Sequence, residues 1–235
     1  MVYGEPGVGK TELAGTALDH KDLRPVLYLD VDGGIKTLRK RKDLDVKQVR
    51  SMNKAREIYN DLYNSVDWEA PEEKQTLAYK TVVIDTLSEL AKLDMRQIMR
   101  DAHKANPNQH EYVPSPREYL ISGERVREIV RSFRDLPCNV LFCCHSGDSK
   151  DNSNATIFFP QFPGKLRHEI AGFLDIVGYM TMDVKTEKGE AEVSTFIQTI
   201  KSKRISAKDR TKSLGVGIAN PTLPMIWDLI HAEDK

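Results

Sequence analysis

The chain carries no excess of either charge: 35 Lys and Arg balance 35 Asp and Glu over 235 residues. Attraction to nucleic acid or to a membrane therefore has to rest on local clusters rather than on an overall field. No apolar run reaches the length that crosses a bilayer, and the first residues lack the charged, apolar and small-residue order of a secretion signal, which predicts a cytosolic protein. Cysteine is scarce as well. Cys138, Cys143 and Cys144 have no CxxC spacing, and two sit in the apolar run VLFCC, so they read as buried small hydrophobes rather than a metal or redox centre. Repeats and low-complexity tracts are absent. What remains, 40% apolar and 30% charged residues, suits a globular domain with one substantial core.

Against this background the first residues stand out. Gly4-Glu5-Pro6-Gly7-Val8-Gly9-Lys10-Thr11 satisfies GxxxxGK[ST], the phosphate-binding loop. Gly4 and Gly9 allow conformations and close approaches that a Cβ would block, so successive N–H groups can face one concavity and surround a phosphate. TELAGTALDH follows and reads as a helix whose N-terminal amides and dipole favour the same anion. The expected binding stretch runs from Gly4 to Glu12, with Lys10 reaching the β and γ phosphates of a nucleotide and the Thr11 hydroxyl holding Mg²⁺. Residues 80–86, KTVVIDT, supply the partner motif. A short β-branched apolar run ending in a carboxylate is how a buried parallel strand delivers an acid to the carboxyl edge of a sheet. Asp85 is thus the expected Walker B acid, a second holder of the Mg²⁺.

Strand and helix patterns alternate along the rest of the chain. PVLYLDVDGG (25–34) reads as a strand with a glycine stop, and Ala55, Ile58, Tyr59, Leu62, Tyr63 and Val66 recur at helical spacing. Leu87, Leu90, Ala91, Met95 and Ile98 mark another helix. Pro107, Pro114 and Pro116 punctuate a polar loop from 103 to 116, and Val126, Ile129, Val130 and Phe133 mark a helix ending near Pro137. NVLFCCH (139–145) is a buried strand, SGDSKDNSNATIFFPQFPGK (146–165) a long polar segment, and FLDIVGYMTMDV with EVSTFIQTI a hairpin turned at Lys188-Gly189. The expectation is one α/β domain over residues 1–235, with a core of 1–200 and a basic C-terminal segment of 201–235. Its sheet is mainly parallel and central, with helices on both faces and a C-terminal β-hairpin. Only Met1, Val2 and Tyr3 precede the loop, so its strand is either very short or part of a longer natural chain.

A GTPase would need a DxxG switch and an NKxD base reader, and neither is present; Asp85 is followed by Thr86-Leu87-Ser88. The order of features instead resembles the RecA-like ATPase core, most closely the phage-encoded RecA-like, AAA-type nucleotide-binding proteins grouped with single-strand annealing and recombination. Five groups carry the resemblance over residues 1–212: GEPGVGKT, Asp30-Val31-Asp32-Gly33, VVIDTLSEL, NVLFCCH and Lys208-Asp209-Arg210. It implies a RecA-like P-loop NTPase fold, Mg²⁺-dependent ATP hydrolysis in the host cytoplasm, and homo-oligomers, ring or filament, whose active sites are completed between subunits. Asp32 falls where the family places the acid that polarises the attacking water, often Glu, with Asp30 and Glu89 as alternatives. His145 takes the place of a γ-phosphate sensor, and Lys208 and Arg210 that of a pair reaching a neighbour's ATP. The implied catalytic set is Lys10, Asp32, Asp85, His145, Lys208 and Arg210.

The resemblance also implies single-stranded DNA as a partner, met by residues 103–117 and 146–165. The second stretch combines Phe158, Phe159 and Phe162 with flanking lysines, and aromatics in a mobile loop stack on bases while lysines follow phosphates. The same aromatics can plug the loop onto the body, and Asp148 and Asp151 oppose a phosphate-binding role. Two further readings stay open: an ATP-dependent assembly or switch protein without direct DNA binding, and a small-molecule kinase.

Overall fold

The computed structural model describes residues 1–187 and 190–232. The strands are β1 (Val2–Gly4), β2 (Val26–Asp30), β3 (Asp45–Gln48), β4 (Thr81–Asp85), β5 (Asn139–Lys150), β6 (Thr156–Pro160), β7 (Ile176–Glu187), β8 (Glu190–Gln198), β9 (Lys208–Asp209) and β10 (Gly217–Ala219). The helices are α1 (Lys10–Gly15), α2 (Met52–Asn64), α3 (Leu87–Ala105), α4 (Pro116–Arg134), α5 (Leu166–Phe173) and α6 (Leu223–Ile230). Across the sheet the order is β10-β8-β7-β1-β5-β4-β2-β3, parallel from β7 to β3 and antiparallel from β7 to β10. Short antiparallel partners, β6 and β9, hang on β5 and β7.

Period-two alternation along the strands divides the apolar residues between two covering layers. Tyr3, Leu27, Leu29, Val82, Ile84, Phe142 and Cys144 join the larger core, under α2, α3, α4 and α5. Their sequence neighbours Val2, Val26, Tyr28, Val83, Leu141 and Cys143 join the smaller one, with Leu13 and Ala14 of α1 and, at its margin, Ile226 and Trp227 of α6. The helices begin where their capping residues put them. Ser51 accepts from the Lys54 amide (3.1 Å) ahead of α2, whose Met52, Ala55, Ile58 and Leu62 are buried. At α4, Ser115 and Glu118 form a reciprocal capping box ahead of Pro116.

β1 has only three residues, yet it is held on both sides, Val2 beside Cys143 and Gly178, Gly4 beside His145. Two segments differ from expectation. The stretch after His145 is not a free loop: β5 runs on to Lys150 and pairs with β6, Ser146 opposite Pro160 and Lys150 opposite Thr156. Phe159 and Phe162 are buried, and the Phe158 ring stacks on Tyr179 with centroids 5.2 Å apart, so these aromatics plug the hairpin onto the body and do not stand out as base-stacking groups. The segment after residue 200 is woven into the sheet rather than appended to it. β9 pairs with β7, β10 with β8, and the Leu223 amide donates to Thr16 Oγ1 (2.8 Å). β7 and β8 form the expected hairpin, while its turn at Lys188-Gly189 lies outside the described residues. Among the described residues no helix is long and apolar enough to cross a membrane.

Candidate nucleotide-binding site

Strand register brings the candidate groups to one edge. Gly4 lies beside His145, Asp85 beside Cys143 and Asp30, so the carboxyl ends of β1, β5, β4 and β2 stand in a row. The glycine turn leaves β1 at this edge. A Cβ on Gly4 would stand 2.4 Å from the Met180 carbonyl oxygen, and Gly7 and Gly9 have φ of 84° and 96°, so the turn is open only to glycine at these points. Gly9 sits at the N-cap of α1, which aims that helix's free amides into the turn.

Lys10 is the buried cation of the turn. It is 6% exposed, and its Nζ donates to the Gly4 and Glu5 carbonyls at 2.9 and 2.8 Å. Burial pulls its pKa down, and the Asp85 charge opposes that shift. Thr11 Oγ1 donates to Asp85 Oδ2 at 2.6 Å, which joins the two groups expected to share Mg²⁺. Burial pushes the Asp85 carboxyl up, while the donors from Thr11 and Tyr28 hold it down. Their oxygens are the hard donors Mg²⁺ takes, and an ion that keeps waters and substrate phosphates needs only one or two protein groups. Among the described residues there is no group of three His, Cys, Asp or Glu that could hold a metal ion.

The remaining predicted residues divide. Asp32 is exposed, accepts from the Gly34 amide (3.0 Å), and flanks Gly34 together with Thr11: a Cβ there would lie 3.0 Å from Asp32 Oδ1 and 3.4 Å from Thr11 Oγ1. Asp30 is fully buried; its Oδ1 accepts from the Gly33 amide (3.0 Å) and its Oδ2 has no partner. Glu89 pairs with Lys92 at 3.2 Å. The His145 amide donates to Ser88 Oγ (3.0 Å), and its ring Nδ1 is buried and unpartnered. Burial, with Lys10 and Lys92 nearby, lowers the imidazole pKa. Glu5, Pro6, Gly7 and Glu12 are exposed around the turn, whereas Val8 packs into the smaller core.

Lys208 and Arg210 lie elsewhere. β9 pairs with Ile176 and Val177, at the amino end of β7 and hence the opposite edge of the sheet. Lys208 Nζ donates to the Ala171 and Gly172 carbonyls (2.9 and 3.3 Å), and Arg210 binds Asp175 and the Gly172 carbonyl at 3.0 Å each, so both serve the end of α5. Two contacts escaped the sequence. The Tyr28 hydroxyl donates to Asp85 Oδ2, and Ser146 Oγ donates to Glu5 Oε1 (3.0 Å), tying the glycine turn to the base of the β5–β6 hairpin. A tyrosine inside an aliphatic strand is the only signal for the first; the second has none.

A glycine turn running into a helix, with an acid at the tip of the next-but-one strand, defines a phosphate-loop ATPase domain. A family model described as AAA domain matches residues 1–211, and the chain belongs to that family. No curated protein matches it in sequence. Among solved structures it is similar to the flagellar accessory protein FlaH from Methanocaldococcus jannaschii, at 10% identity and a TM-score of 0.40, over 93% of this chain and 82% of that one. It is also similar to a type III secretion system ATPase of pathogenic bacteria, at 14% identity and a TM-score of 0.44, over 77% of this chain and 50% of that one.

Proposed function

We propose that the chain binds ATP with Mg²⁺ in the glycine turn and hydrolyses it, acting in phage DNA recombination or single-strand annealing as a self-assembling RecA-like ATPase. The observation that carries the nucleotide reading is the 2.6 Å bond between Thr11 and Asp85 beside a buried Lys10. In hydrolysis a water oxygen bonds to the γ phosphorus, the bond from that phosphorus to the bridging oxygen breaks, and ADP and phosphate leave. The water's proton passes to a carboxylate, for which Asp32, beside Thr11 and open to solvent, is the proposed acceptor. Lys10 and the turn amides stabilise the charge that grows on the phosphate oxygens, and His145 would read the γ-phosphate from the tip of the parallel part of β5. When bound, Mg²⁺ supplies further positive charge at the β and γ phosphates. Lys10→Ala tests the site: the reading requires loss of ATP turnover, and turnover at the normal rate refutes it.

The shared-site part of the proposal requires Lys208 and Arg210 to exchange the α5 carbonyls for a neighbour's phosphate. Mixing Arg210→Ala with Lys10→Ala tests it, because each variant would lend the other its intact half and restore turnover; no rescue means no shared site. A second reading, an ATP-dependent switch or assembly protein, is favoured by the packing of Phe158, Phe159 and Phe162, which leaves the hairpin without free stacking aromatics. Turnover with and without single-stranded DNA separates the two. A tenfold stimulation, about 1.4 kcal/mol of barrier, belongs to the DNA reading, and indifference to DNA belongs to the switch.

A further inference from the structure

We propose that Tyr28 is a positioning residue for the Mg²⁺ side of this site, fixing the orientation in which Asp85 and Thr11 share one ion; this rests on the nucleotide reading above. Tyr28 is fully buried at the middle of β2, opposite Val83, two residues short of Asp85 on the neighbouring strand. Both lie on the side of the sheet that α1 covers, so the ring leans along β4 and its hydroxyl reaches the strand tip. The oxygen it meets, Asp85 Oδ2, also accepts from Thr11 Oγ1. Two donors on one oxygen fix the rotation of the carboxylate and leave its other lone pairs for an ion or its waters.

The hydroxyl is what needs explaining. A phenylalanine would fill the same apolar wall without burying an O–H, and a buried tyrosine has to find its hydroxyl a partner. Carboxylates that hold metals depend on such outer hydrogen bonds, and losing one weakens metal affinity by about 10- to 100-fold.

The test follows binding of a fluorescent ATP analogue to the full chain and its Tyr28→Phe variant, in EDTA and across a Mg²⁺ titration. The expected result is unchanged affinity in EDTA and about a tenfold rise in the Mg²⁺ concentration that half-maximally tightens binding. In an Asp85→Asn background the same change should add nothing. A Tyr28→Phe protein that melts lower but keeps the parental Mg²⁺ titration has lost packing only, and overturns the proposal. If the parent protein binds the analogue no better with Mg²⁺, or Lys10→Ala leaves its binding intact, the nucleotide reading fails and this one with it. Should Tyr28→Phe not fold, the parent protein still decides. With ADP bound and the tyrosine ring carbons labelled, the Tyr28 resonance next to the hydroxyl should move when Mg²⁺ is added, and a signal that stays in place overturns the role.

Discussion

The two ends of the parallel sheet begin from the same aliphatic strands and finish differently. At the carboxyl end the strands deliver Asp30, Asp85 and His145, a buried Lys10 lies beneath the glycine turn, and two buried polar atoms, Asp30 Oδ2 and His145 Nδ1, have no partner. At the amino end a cavity of about 300 Å³ lies between the strand starts and α6, walled by Val140, Ile176, Ile226 and Trp227 among others. Its polar neighbours are bonded: Thr81 Oγ1 to the Leu23 carbonyl at 2.6 Å, and Asn139 Nδ2 to the Lys80 carbonyl at 3.0 Å. Unpaired buried polar groups cost about 1–3 kcal/mol each. A domain stable by only about 5–15 kcal/mol can carry such atoms where a ligand would complete them, although Arg56 Nε on α2 and Asp94 Oδ2 on α3 are also buried without a partner.

That contrast can be broken at either end. Lys10→Ala removes the site's buried cation and should lower turnover by about a thousandfold, equivalent to about 4 kcal/mol of barrier, while the protein still melts cooperatively. A steady-state phosphate-release assay beside a thermal melt checks both. Phe133→Ala in the larger core should reverse the pattern, costing about 3 kcal/mol of stability. Turnover per folded molecule should stay within about twofold, read by normalising activity to the folded fraction from urea unfolding. Trp227→Ala, at the half-buried edge of the lower cavity, should cost about 1 kcal/mol and leave nucleotide affinity unchanged, since its losses are dispersion contacts only. An affinity loss above about tenfold would show the two ends to be coupled.

The smallest effect lies away from both ends. The Ser115 hydroxyl, the Ser115 amide (2.8 Å) and Gln109 (3.0 Å) bond to Glu118, in that order of weight, and hold its pKa at about 2 against an ordinary 4.5. Its folded pKa is depressed, so the unfolded chain binds more protons between these values, and the contribution is present above pH 4.5 and lost as pH falls toward 2. The melting-temperature gap between the parent and Glu118→Gln should therefore be open at pH 6 and closed near pH 2. A gap that persists at pH 2 removes the carboxylate from the explanation.

What the sequence made legible follows from what is local. The glycine turn, the acid ending β4 and the alternation of strand and helix all depend on residues close in the chain, and each stands where expected. The place of Lys208 and Arg210 in the sheet was not legible, because a short charged run carries no mark of which sheet edge it will meet; the pairing of β9 with the start of β7 decides that. The β5–β6 hairpin was hidden because a ribbon with much of its surface in solvent shows little apolar alternation. β3, mostly exposed at the sheet edge, was invisible for the same reason. Tyr28 was visible but mute, since only the partner of its hydroxyl separates it from an ordinary core residue.

The brevity of β1 has a bearing on how the protein comes into being. Its flanking strands are drawn from residues beyond 138 and beyond 175, so the glycines that follow it gain their neighbours only through contacts far apart in sequence. The turn proposed to hold a nucleotide is thus built on the most distant pairings of the sheet, and it cannot take shape before they do.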